Sequence, residues 1–233
     1  LVYAEQRKAW KNKKHNAQWI SSLEAYAFPA IGDRAVNQID GPAVRDILAA
    51  IWLTKNETAR RVRQRINTIV DWAVAKGYRD TPLPLAVISK SLPKVPKGQK
   101  KHFAAMPYAD VPAFIDDLRN KDSIGALALR AAILTVTRSN EVRRATWADI
   151  DFEAATWTIP AERMKAGREH IIPLSKPVLD IFEEAKKHRI AGSDFIFQGT
   201  KKGRPLSDMT LLKILRDQGL PFTVHGFRSS FRD

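Results

Sequence analysis

The feature that most constrains this chain is a break in its hydrophobic periodicity. Leu92 to His102 reads LPKVPKGQKKH, eleven residues with two prolines, one glycine and four lysines. No regular helix or strand runs through such a segment. The apolar residues on its two sides must therefore build separate cores. We place a helical domain at 1–92, a basic linker at 93–103 and a mixed domain at 104–233. The linker fits a strand of chain laid across a polyanion, and it fits an ordinary solvated hinge equally well.

The first domain reads as helices only. Asn12 to Ala27 carries Ala17, Trp19, Ile20, Leu23 and Tyr26 close to one stripe. Gly41-Pro42 opens a second helix with Val44, Ile47, Leu48 and Ile51 inward, proline suiting a first turn. A third runs from about Glu57 to Lys76 and stops at Gly77. On it Val62, Ile66, Ile69, Val70 and Ala73 share a face, Arg60, Gln64, Asn67 and Asp71 lie opposite, and Arg61, Arg63 and Arg65 flank the seam. A helix with one packed face and an arginine-rich remainder suits phosphate or groove contact, as it also suits plain solvation.

The second domain alternates helix and strand. Tyr108–Leu118, Gly125–Thr135, a short helix from Ser139, Lys176–His188 and Ser207–Gln218 read as helical, with Ser207 as N-cap. Thr156–Pro160 and Glu169–Leu174 alternate around a Lys-Ala-Gly turn, so they form a hairpin, and Phe195–Phe197 is a short strand. The fold class is mainly α with a small β-hairpin or sheet, an α+β architecture.

Charge narrows the partner. Against 25 acidic residues stand 39 basic ones, a net charge of +14, which points to nucleic acid or another polyanion. Cysteine is absent, which removes disulfides and thiolate metal sites. The longest apolar stretch, Ala126 to Thr137, is interrupted by Arg130 and is too short to span a membrane, so no membrane partner is expected. The chain begins at Leu1 within a basic amphipathic run, from which we expect the natural protein to start earlier.

Three stretches carry a resemblance. Residues 131–153 read AAILTVTRSNEVRRATWADIDFE, residues 157–174 WTIPAERMKAGREHIIPL, and residues 223–233 TVHGFRSSFRD. Their order and spacing resemble the catalytic domain of tyrosine recombinases, in particular the integrases of P4-like phages and genomic islands, and the helical first domain resembles their core-binding domain. The resemblance implies that Arg138 and Arg228 are the catalytic arginines, Glu141 the supporting acid, Lys165 the hairpin lysine and His225 the histidine of His-x-x-Arg. It implies cleavage of one DNA strand by a tyrosine, a 3′-phosphotyrosyl link and rejoining, with no metal and no other cofactor. The partner implied is double-stranded DNA at an attachment-site core, bound by a homotetramer when the protein is full length, in the bacterial cytoplasm at the nucleoid.

The chemistry is consistent with those roles. Phosphoryl transfer develops charge on non-bridging oxygens, and two planar, permanently charged guanidinium groups can match it. A lysine on a hairpin turn can protonate the leaving oxygen, and a histidine can take the nucleophile's proton. Spacing of three puts His225 and Arg228 on one helix face and lets Glu141 orient Arg138. Alone, Arg138–Glu141 is an ordinary ion pair, Lys165 a solvated turn residue and His-x-x-Arg a common accident. Together, in order, with Trp147, Asp149, Ile159-Pro160 and Pro173-Leu174 around them, they make a site. Trp147, Trp157, Phe152 and Ile159 belong to the core, and His170 and His188 to structure or surface. For DNA contact we single out Lys13, Lys14, Arg60, Arg61, Arg63, Arg65, Lys94, Lys97, Lys100 and Lys101.

Two departures matter. Where many members of that family have glycine, this chain has Val136 and Asn140. The family's tyrosine follows His-x-x-Arg by some tens of residues, whereas Tyr3, Tyr26, Tyr78 and Tyr108 all precede it here. Ser229 and Ser230 lack the phenol's lower pKa and a base of their own. We therefore expect this chain, incomplete at its C-terminus, to bind DNA and seat a phosphate without cutting, and to be monomeric alone. The alternative is a naturally truncated DNA-binding remnant with an architectural or regulatory role. A metal-dependent nuclease is disfavoured, because no carboxylate–histidine cluster has suitable spacing.

Overall fold

The computed structural model describes residues 1–10, 13–96, 103–201 and 203–231, without the side chains of 13–15. The chain divides into two compact units, Leu1–Gln99 and Lys100–Asp233. Among the described residues no helix is long and apolar enough to cross a membrane.

The first unit is helical: α1 (Val2–Gln6), α2 (Lys13–Tyr26), α3 (Phe28–Ile31), α4 (Gly41–Trp52), α5 (Asn56–Ala75) and α6 (Leu85–Lys90). Helix α4 starts where the Asp40 carboxylate accepts from the Ala43 N–H at 2.9 Å, with Pro42 in the first turn. Helix α5 ends in a Schellman motif. Gly77 takes φ 71°, and the Gly77 and Tyr78 N–H groups donate to the Val74 and Ala73 carbonyls at 3.0 and 2.9 Å. Leu23, Val44, Leu48, Val62, Ile66 and Val70 are buried and form the centre of the core.

One reading of α5 needs correction. Arg65 does not flank the seam but is buried, at 7% exposure. Its Nη1 donates to the Gln18 carbonyl at 2.9 Å and to the Ser22 hydroxyl, fixing α5 to α2. Arg63 is half-buried and donates to the Ser89 hydroxyl on α6. The long aliphatic stem explains both: arginine can pass through an apolar seam and find oxygens on its far side.

The second unit holds α7 (Val111–Arg119), α8 (Ile124–Leu134), α9 (Ser139–Arg143), strands β1 (Ile150–Asp151), β2 (Thr156–Ile159) and β3 (His170–Pro173), then α10 (Lys176–Lys186), α11 (Thr210–Asp217) and α12 (Phe227–Ser230). Every residue of α8 from Gly125 to Ile133 is buried, Arg130 included, so α8 is the central helix. Arg130 survives there because the Glu184 carboxylate of α10 meets it at 3.2 Å. The sheet is antiparallel in the order β1-β2-β3, with Trp157 opposite Ile150 and Ile172, all three buried.

The hairpin is present, and it is joined by β1, whose two residues are too few to show alternation. Phe195–Phe197 is not a strand: Phe195 and Gln198 make isolated bridges to Thr146 and Pro205. The helix expected from Ser207 begins at Thr210 with Met209 as N-cap, and the Ser207 hydroxyl accepts from the Met209 N–H at 3.3 Å in the preceding turn.

Candidate active site

Arg138 is the N-cap of α9, and one carboxylate holds both ends of it. Glu141, third in the helix, accepts from the Arg138 N–H at 2.8 Å and from its Nη1 at 2.6 Å. Glu141 is buried while the Arg138 side chain is 44% exposed. The guanidinium is thus fixed from inside and open on the other side, as an oxyanion clamp requires.

Just before it the backbone is strained. Val136 lies at φ 54°, a left-handed conformation that a β-branched residue adopts at a cost. The Thr135 and Thr137 hydroxyls meet at 2.9 Å across it, and Thr135 also donates to the Ala131 carbonyl at 2.6 Å. This bend offers the Val136 carbonyl to Arg228, whose Nη1 donates to it. The half-buried Arg228 thereby bonds the main chain two residues before Arg138, from ninety positions along the chain.

His225 does not share a helix face with Arg228. It sits in the turn before α12, exposed, with its carbonyl accepting from the Arg228 N–H at 3.2 Å. Its ring meets Phe103 edge-on, centroids 4.9 Å apart. Helix α12 is only four residues long and begins at Phe227, so His225 lies outside it.

The turn is pinned by close main-chain approach. Thr223 N–H donates to the Ala104 carbonyl at 3.0 Å. A Cβ on Gly226 would overlap that carbonyl oxygen and lie 2.8 Å from its carbon. Phe227 stacks on Phe114 at 5.6 Å, and Ser230 donates to the Met106 carbonyl.

Lys165 stands exposed on the connection between β2 and β3, just ahead of Gly167 at φ 64°. Among the described residues it makes no hydrogen bond or ion pair, so nothing ties it to the two arginines. The root of that connection is fixed. Arg163 pairs with Asp149 and donates to the Arg144 carbonyl at 2.6 Å, while Asp149 accepts from the Thr146 N–H at 2.7 Å. Trp157 and Ile159 are core residues, Trp147 and Phe152 pack partly buried against them, and His170 lies exposed.

Sequence reasoning missed Gly226 and Arg143. A glycine flanked by a motif histidine signals a close approach only once Ala104 is known to lie against it. Arg143 is half-buried, with Nε donating to the Leu206 carbonyl at 2.7 Å. Burial pulls its pKa below the usual arginine value, Asp208 opposes this and Arg144 adds to it.

On the first unit Arg60, Arg61 and Lys94 are exposed. Arg60 and Lys94 line an open groove of about 680 Å³ together with Lys90, which the sequence reading did not single out. Lys97, Lys100, Lys101 and the side chains of Lys13 and Lys14 lie outside the described residues.

The profile of the phage integrase central domain matches residues 2–88, and that of the phage integrase family residues 106–232. The chain is 34% identical over 226 residues to prophage integrase IntZ of Escherichia coli K12, covering 94% of this chain and 54% of IntZ. It is 28% identical over 249 residues to the integrase of Enterobacteria phage P4, covering 97% of this chain and 54% of that protein. The fold matches a lambda integrase (75–356) dimer bound to a COC′ core site, with a TM-score of 0.71 at 18% identity over 98% of this chain and 84% of that one. The chain belongs to the phage integrase family of tyrosine recombinases, and it spans about half the length of these curated relatives.

Proposed function

We propose that this chain is the DNA-engaging part of a site-specific recombinase that integrates and excises a prophage or genomic island, acting as a homotetramer in the complete protein. The observation that carries the reading is the convergence of two arginines from distant parts of the chain on one bend: Arg138 held by Glu141, and Arg228 held by the Val136 carbonyl. Two fixed guanidinium groups suit the non-bridging oxygens of one phosphate. In the complete reaction a tyrosine oxygen bonds to phosphorus and the bond to the 5′ oxygen breaks. Lys165 supplies that oxygen's proton, and His225 takes the proton of the phenol or hydrogen-bonds the phosphate.

This 233-residue chain binds duplex DNA and seats the phosphate without cutting it. Tyr3, Tyr26 and Tyr78 belong to the first unit, and Tyr108 stands 66% exposed on the turn leading into α7. The test mixes the chain with duplexes carrying candidate attachment cores and resolves the products under native and denaturing conditions. The expected result is a mobility shift and no covalent adduct. An adduct would refute the binding-only reading, and absence of any shift would refute DNA engagement itself.

A further inference from the structure

The first unit buries a charge without giving it a carboxylate. Arg65 spends its Nη1 on two neutral oxygens, the Gln18 carbonyl and the Ser22 hydroxyl. The ion pairs among the described residues of this unit, Arg45–Asp46 and Arg61–Glu57, leave it out. Buried charges ordinarily have a counter-charge. Burial pulls the Arg65 pKa below the usual arginine value and Arg61, one turn away, pulls in the same direction, yet the group stays protonated.

Arg65 also borders a pocket of about 390 Å³, within the range of roughly 300–1,000 Å³ typical of ligand sites. Arg61, Gln64 and Thr68 line it from α5, Trp19 from α2 and Gln6 from α1. Among the described residues no acidic side chain lines it. Two acids on the lining helices, Glu57 of α5 and Glu5 of α1, are engaged elsewhere. Glu57 meets Arg61 at 3.2 Å in an exposed pair of the kind that solvent and salt readily exchange, and Glu5 accepts from Trp72 Nε1 at 2.8 Å.

We propose that this pocket is a seat for one phosphate of the duplex DNA backbone. Arg65 is anchored beneath the phosphate, Arg61 closes over it, and the Gln6 and Gln64 amides supply neutral donors. Arg61, exposed on the same helix, presents that face to the duplex. The inference rests on reading the chain as a DNA binder and adds a particular contact to it.

The test follows DNA affinity against salt for the full chain and for Arg61→Gln, Arg65→Met, their double variant and Gln64→Glu. Each lost phosphate contact lowers the slope of log affinity against log salt by about 0.9. One shared phosphate predicts a fall of about 0.9 for each single variant and no further fall for the double. Slopes that add in the double would overturn the shared seat, as would unchanged slopes. Gln64→Glu decides the matter if Arg65→Met fails to fold, because position 64 is exposed and the new carboxylate would fill the seat. If inorganic phosphate at matched ionic strength stabilises the parent but not Gln64→Glu, while DNA slopes stay equal, the site takes a free oxyanion and the DNA assignment falls. If the parent chain binds no duplex, the functional reading itself has failed.

Discussion

The guanidinium of Arg228 donates to the carbonyl of Val136, a residue held in the left-handed region at φ 54°. The bend places the acceptor, and the acceptor places the arginine. A β-branched residue there costs about 1–2 kcal/mol. Val136→Gly should relieve that strain, less roughly 0.5–1 kcal/mol for the freer unfolded chain. The expected outcome is a melting temperature raised by about 2 °C, read by circular dichroism. A fall of several degrees would mean that the half-buried valine side chain contributes more than its backbone costs.

Glu141 serves Arg138 through both oxygens, so its two substitutions should separate. Glu141→Gln keeps an acceptor for the N–H and loses the charge opposite a guanidinium that is partly screened by water. A loss of about 1–2 kcal/mol is expected. Glu141→Ala leaves the helix without its N-terminal acceptor as well and should cost about 1 kcal/mol more. Urea unfolding measures both, and equal losses would show that only the ion pair matters.

Two glycines give a contrast that geometry alone decides. Gly226→Ala pushes a methyl group into the Ala104 main chain, which should cost at least the ~1–3 kcal/mol of an overpacked core and disturb the near-ultraviolet spectrum. Gly167 has φ 64° and open space around it, so Gly167→Ala should cost only about 1–2 kcal/mol and leave the spectrum unchanged. Comparable effects would show that the Ala104 segment yields.

The longer helices α2, α4 and α5 of the first unit and the hairpin of the second were legible because each carries a periodic signal, as in the run from Val62 to Ala73, whereas α3 and α6, four and six residues long, carry too little of one. Motif order is what singles out Arg138, Lys165, His225 and Arg228 in the sequence. What stayed hidden depends on contacts between distant segments. Nothing local distinguishes the buried Arg65 from the exposed Arg61 until Gln18 and Ser22 are packed against it. Strand β1 is two residues long, and the turn at Gly226 is explained by Ala104, more than a hundred positions earlier.

The proposed division of labour predicts how the arginines fail. In a longer version of the protein that carries a nucleophilic tyrosine, Arg138→Ala and Arg228→Ala should each slow strand cleavage by about 10²–10³, the usual effect of removing one donor from an oxyanion site. DNA affinity should change far less, because many other cations share the phosphate backbone. Single-turnover cleavage and equilibrium binding on the same duplex measure the two quantities. Parallel losses in both would make the arginines backbone contacts only. Arg228→Lys adds a finer test. It retains the charge but loses the fork that can reach the Val136 carbonyl and a phosphate oxygen together. Its cleavage rate should therefore fall close to that of the alanine variant.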